Sequence, residues 1–234
     1  MLIRPQNYAE GLSNVRARIA RATMDAGRNV DSVTLLAVSK GHATAAIAAL
    51  AQHGVVHFGE NYLNEALPKL AELAAHGLTW HFTGQLQTNK TRPIAERFDW
   101  VHGVDRLKIA ERLSMQRPAA ARALNVCVQV NVGGEVGKGG VAPAALVPLA
   151  RAVHQLPRLA LRGVMCLPPA EEDPVRQRYW FALAHEASLA MAEAGLPCDT
   201  LSMGMSSDLE AAIAEGATLL RIGTALFGAR PADR

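Results

Sequence analysis

Strand-length apolar runs alternate with helix-length segments along almost the whole chain, and this alternation restricts the fold more than any other feature. Residues 7–27 carry apolar side chains at Leu12, Val15, Ile19, Ala22 and Ala26, the spacing of an amphipathic helix, with Gly27 placed to end it. An apolar run, Leu35-Leu36-Ala37-Val38-Ser39-Lys40, follows and closes on a lysine. Further strands are predicted at Val55–Glu60, Leu78–Gly84, Trp100–Val104, Asn125–Val132, Leu159–Leu167, Cys198–Ser202 and Thr218–Ile222. Helices are predicted between them at Thr44–Gln52, 61–76, Pro143–Leu156, Pro174–Ala194 and Asp208–Glu215. Another lies within Gln85–Arg97, where Pro93 must begin or kink it, and one follows Asp105, read as its cap. Continuous apolar strands belong in a parallel sheet covered on both faces. Eight such units in one chain predict an α/β fold, a TIM (β/α)₈ barrel with an extra N-terminal helix. A doubly wound sheet is the weaker reading, because no G-x-G-x-x-G opens the first helix. Neither a linker nor a composition break divides residues 1–234, which read as a single domain.

Composition narrows the function class. The chain is 50% hydrophobic and its net charge is only +3, with basic residues spread along it, so a nucleic-acid footprint is not expected. No apolar run reaches the roughly 18 residues of a membrane span, and no signal peptide follows Met1-Leu2-Ile3-Arg4-Pro5-Gln6. Cys127, Cys166 and Cys198 are few, odd in number and far apart. They read as buried thiols in a reducing, cytoplasmic setting.

In a barrel, functional groups collect at the C-terminal ends of the strands. Those ends carry Lys40, Gly59-Glu60-Asn61-Tyr62, His81 with Gly84, Asp105-Arg106, Asn131, Met165, Ser202–Ser206 and Arg221-Ile222-Gly223-Thr224. A lysine at a dry pocket mouth is a usable nucleophile and can condense with an aldehyde; a lysine at a strand end can equally be a solubilising rim residue. Barrels often hold a phosphate between the loops after strands seven and eight, here Ser202-Met203-Gly204-Met205-Ser206 and Gly223-Thr224. Ordinary tight turns would use the same glycines. Arg221, inside an apolar strand, needs a partner: either a neighbouring carboxylate or an acceptor on a ligand, such as a ring nitrogen. His57 and His102 read as satisfied core or rim histidines, and His81 as a pocket candidate. No H-x-H or closely spaced Cys/His pair suggests a metal, which leaves a metal-dependent barrel hydrolase as a remote reading. Gly133-Gly134-Glu135-Val136-Gly137-Lys138-Gly139 looks like a phosphate-binding loop but breaks the G-x-x-x-x-G-K-[ST] spacing, and is read as a mobile loop over the barrel mouth.

Taken together, Val38-Ser39-Lys40, Phe58-Gly59-Glu60-Asn61-Tyr62, Trp80-His81-Phe82 with Gln87 and Asn89-Lys90, Leu201–Ser206, and Arg221–Arg230 resemble the pyridoxal phosphate homeostasis proteins, single-domain relatives of the alanine racemase barrel. The resemblance implies that Lys40 holds pyridoxal 5'-phosphate (PLP) as an internal aldimine. It further implies that Ser202, Gly223 and Thr224 bind the phosphate, with Ser206 and the backbone of Met203 nearby. Arg221 would face the pyridine nitrogen, and Asn61 and His81 would line the ring pocket. No catalytic residue and no metal ligand is implied. Two departures bear on loop contacts: Gly41-His42-Ala43 stands where the family usually has Thr-Lys-Pro, and Gly133–Gly140 is poorer in Ser and Asp.

An arginine opposite the ring nitrogen keeps that nitrogen unprotonated and weakens the cofactor as an electron sink. Racemases of this barrel take a second base from a further β domain of a partner subunit, and this chain ends at Arg234, just past the eighth strand. The expected function is therefore PLP holding and delivery in the cytoplasm, with an amino-acid racemase as the alternative. Expected partners are the cofactor and apo PLP-dependent enzymes, with no nucleic acid and no membrane, and the expected state is a monomer.

Overall fold

The computed structural model describes residues 7–229; the Met1–Gln6 stretch and Arg230, the end of the last motif, lie outside the described residues. Helix α1 (Tyr8–Asp25) precedes eight strands: β1 (Thr34–Val38), β2 (His57–Glu60), β3 (Thr79–Phe82), β4 (Trp100–Val104), β5 (Leu124–Val130), β6 (Leu159–Cys166), β7 (Thr200–Ser202) and β8 (Leu219–Ile222). Helices α2 (Thr44–Gln52), α3 (Leu63–Glu72), α4 (Thr91–Arg97), α5 (Leu107–Gln116), α6 (Pro143–His154), α7 (Pro174–Glu193), α8 (Leu209–Ala214) and α9 (Thr224–Phe227) follow them in turn. Each strand pairs in parallel with its sequence neighbours, and β8 returns to β1 in the register Leu36↔Arg221, closing the barrel. The predicted TIM barrel with an added N-terminal helix is the observed architecture.

Local chemistry sets the element ends. Asn7 Oδ1 accepts from the Glu10 N–H at the start of α1, and Gly27, at φ +65°, lets the chain leave it. Pro143 and Pro174 occupy first-turn positions, where a missing N–H costs nothing, and Asp173 caps α7 through the Val175 N–H. Asp105 does not cap α5. Strand β4 runs to Val104, so Asp105 falls one residue too early; Arg106 takes the cap position and binds the Asp105 carboxylate at 2.7 Å. Predicted helix 61–76 splits into α3 and a single 3₁₀ turn at Ala74–His76. The short helix α9 escaped prediction because four residues carry no periodicity.

The outward strand faces pack under the helices: Phe58, Phe82, Val101 and Val126 share one apolar core with Ile47, Leu50, Leu113 and Phe181. The lumen differs. Barrel interiors are dominated by branched aliphatic side chains, yet His81, His102, Ser202 and Arg221 are all buried and bond to one another although β4 and β7 are not neighbours in the barrel wall. Such contacts are only made across the lumen, so the interior of this barrel has a polar spine. Gly133–Gly140 is tied at several points: Val141 bridges Val130, Gln129 Nε2 donates to the Gly139 carbonyl, and Lys138 Nζ reaches the Pro168 carbonyl at 2.8 Å.

Candidate cofactor site at the barrel mouth

Lys40 stands two residues beyond β1, and both its neighbours are clamped by α3 and β2. The Ser39 N–H donates to the Gly59 carbonyl and its hydroxyl donates to Glu60 Oε1 at 2.6 Å. Lys69 Nζ donates to the Ser39 carbonyl at 2.9 Å and to Glu60 Oε1 at 2.8 Å. On the other side the Gly41 N–H donates to Glu65 Oε2, and Gly41 turns the chain at φ +75°. Glu60 is fully buried; burial pushes its carboxyl up, and the bonds from Lys69 and Ser39 pull it back. Replacing Lys69 by methionine strands that carboxylate without its cation. We expect a loss of about 3 kcal/mol of unfolding free energy, read by urea denaturation. A change under about 0.5 kcal/mol would show that the clamp does not hold the Lys40 turn.

A cavity of about 560 Å³ opens at this end of the barrel, in the range of small-molecule sites. Lys40, Asn61, Ser206, Arg221, Gly223 and Thr224 line it together, from just past β1 and β2, from the loop after β7, from β8 itself and from the turn into α9. Val38, Thr83, Leu167, Met205 and Ser207 complete its wall. Thr83 donates to Asn61 Oδ1 at 2.8 Å, fixing the amide. That pairing depends on Gly84, where a Cβ would sit 2.1 Å from the Asn61 carbonyl oxygen. Thr83 and Ser207 were missed by sequence reasoning; the strand-end position of the one and the helix-opening position of the other were the available signals.

Three predicted residues stand elsewhere. His81 lies inside the lumen, fully buried between His57 and His102, and does not line the cavity. Ser202 sits behind Arg221, with its hydroxyl and its carbonyl both accepting from Arg221 Nη1. The Met203 N–H is consumed by the Leu219 carbonyl and its side chain is buried in the core. Ser202 and Met203 share a reason: strand β7 is three residues long, so both are still part of the wall, and only from Met205 onward does the chain rise over the mouth. His81 belongs to β3, where its side chain turns into the lumen between His57 and His102.

Arg221 makes no ion pair among the described residues. Its guanidinium donates to the Ser202 carbonyl (2.6 Å), the Ser202 hydroxyl (2.8 Å) and the Cys166 carbonyl (2.8 Å), and burial pulls its pKa down from the ordinary arginine value. Ser206 accepts the Ala225 N–H, which ties the loop after β7 to α9. Chemically the site offers an amine, a guanidinium and two serine hydroxyls beside the Gly223–Thr224 turn. It is a donor-rich pocket for a small anion that also bears an electrophilic carbon. Among the described residues no group of three His, Cys, Asp or Glu side chains could hold a metal ion.

The alanine racemase N-terminal domain family matches residues 12–231. The chain is 58% identical over 222 residues to a pyridoxal phosphate homeostasis protein of Pseudomonas aeruginosa, covering 95% of each. It is 50% identical over 232 residues to the protein of the same name from Escherichia coli K12, covering 96% of this chain and 97% of that one. The structure of PipY from Synechococcus elongatus with PLP bound superposes with a TM-score of 0.83 at 39% identity, over 95% of this chain and 100% of that one. Barrel, mouth and relatives agree, and the chain belongs to the family of pyridoxal phosphate homeostasis proteins.

Proposed function

We propose that this chain binds PLP at the barrel mouth, joined to Lys40 as an aldimine, and that it stores or hands over the cofactor without turning over amino acids. The observation that carries this reading is the convergence of Lys40, Arg221, Ser206 and the Gly223–Thr224 turn on one cavity. The phosphate would rest against Ser206, Ser207, Gly223 and Thr224, and Arg221 would meet the ring. When bound, PLP supplies an aldehyde that exchanges reversibly between amines. The protein's own part is to hold the Lys40 turn rigid and to keep a charged guanidinium in a dry wall. The relatives support the cofactor assignment, since the structure of PipY holds bound PLP.

The competing reading is an amino-acid racemase, which needs a second base across the cofactor from the lysine. Apart from Lys40 and Arg221 the described lining is aliphatic, thioether, hydroxyl, amide or glycine, and this favours the carrier. Reduction of the PLP-loaded protein with borohydride followed by peptide mapping should place the label on Lys40. Incubation of the same protein with L-alanine in deuterated water should give α-proton exchange no faster than free PLP. Exchange at enzymatic turnover would replace the carrier reading with the racemase.

A further inference from the structure

Four short contacts string His57, His81, His102, Ser202 and Arg221 into one line through the lumen. His57 Nδ1 is 3.0 Å from His81 Nε2, and His81 Nδ1 is 2.9 Å from His102 Nε2. His102 Nδ1 is 2.9 Å from Ser202 Oγ, which lies 2.8 Å from Arg221 Nη1. His57 is half-buried at the first residue of β2, on the rim opposite the cavity; His81 and His102 are fully buried. Nothing in the proposed cofactor chemistry uses the three imidazoles.

The direction of the line follows from one end. Arginine has no acceptor, so Arg221 Nη1 must donate to Ser202 Oγ. The serine hydroxyl then has its own proton to place, and His102 Nδ1 is the acceptor it meets. With that proton given to His102 Nδ1, His102 is bare there and carries its own proton on Nε2, where it donates to His81 Nδ1. The same step repeats to His57. In this arrangement all three rings are neutral Nε2–H tautomers, because a cation anywhere in the line would set two N–H groups against each other. Each ring turns its lone pair toward the guanidinium, so the aligned dipoles favour a positive charge at Arg221, which makes no ion pair among the described residues and feels the Asp208 carboxylate only through space. Trp100 stacks on His81 at 5.3 Å with the Arg162 guanidinium 5.0 Å from its ring, and this packing fixes the ring orientation.

We propose that His102, His81 and His57 are positioning residues for Arg221: a polarised relay, set in direction by the arginine, that holds the guanidinium charged and aimed at the mouth. What Arg221 meets there rests on the PLP reading; the relay itself does not. The first test is nitrogen-15 NMR of the cofactor-free protein at neutral pH. The expected result is three Nε2-protonated neutral rings with scalar coupling across both N–H···N bridges. A ring protonated on Nδ1, a cationic ring, or no coupling across the bridges overturns the proposal. The second test uses PLP retention in two variants. His102→Asn keeps an acceptor near the Nδ1 position, while His102→Leu removes it, and an arginine that loses its orientation binds roughly tenfold more weakly. We expect His102→Leu to release PLP about tenfold more readily than wild type and His102→Asn to stay within about threefold. Equal retention in wild type and His102→Leu overturns the relay. If His102→Leu does not fold, the NMR measurement on the unaltered chain decides. Failure of the wild type to bind PLP would sink the cofactor reading while leaving the NMR result to stand or fall by itself.

Discussion

On the proposed attachment, Lys40→Ala should abolish the visible absorbance that PLP is expected to develop on this protein. The amine is the one nucleophilic nitrogen on the described cavity wall. Other lysines nearby are engaged elsewhere: Lys69 holds Ser39 and Glu60, and Lys138 holds Glu135 and the Pro168 carbonyl. Losing the covalent link should lower PLP retention by on the order of a hundredfold or more, since only ionic and hydrogen-bonding contacts remain. Fold stability should change by under about 1 kcal/mol, because the turn is held through the backbone of Ser39 and Gly41. The measurement is a titration of wild type and variant with PLP, followed by gel filtration. A band of wild-type height in Lys40→Ala would move the attachment to Lys90 or Lys138.

The second large effect is acid lability. Burial holds His102 down at about 3, with the Arg221 charge adding to it, and holds His81 well below the ordinary value. Burial also lowers His57, with Asp99 acting in the opposite sense. An unfolded chain takes up these protons near pH 6.5, while the folded chain refuses them. The unfolded state then binds more protons, so stability falls as pH drops from 6.5 toward 3. One fully refused proton costs about 1.4 kcal/mol per pH unit, so His102 by itself withdraws roughly 3 kcal/mol by pH 4, a large share of a typical domain's stability. Glu60 and Asp208, both pushed up by burial, have the opposite sign and blunt the fall between their folded and unfolded values. Urea denaturation at pH 7, 6, 5 and 4 should give a steady decline. A flat profile would mean that the imidazoles are charged in the folded chain.

Much of the site was open to sequence reasoning. Lys40, Asn61, Arg221, Gly223 and Thr224 stand at or just past strand ends, and barrel topology sends strand ends to one mouth. His81 was misplaced for a definable reason. A strand's alternation says which residues share a face, but His57 and His102 were set aside one at a time as ordinary core histidines. That the three rings are in contact follows from the register His57↔Thr79 and Gly59↔His81 and from the tilt of the closed sheet. Asp105 failed as a cap because a one-residue shift in a helix start is invisible to periodicity: β4 ends at Val104 as expected, and α5 opens at Leu107.

Sequence by itself determined the barrel, its helical shell and the group of polar strand ends, because periods of two and of three to four residues are local properties of the chain. Only tertiary structure decided that Ser202 turns inward to meet His102, a hundred residues earlier in sequence, and that both serve Arg221. Barrel closure is the physical reason. It brings side chains from unconnected strands within 3 Å of each other in a space that excludes water, and there each buried donor must find an acceptor.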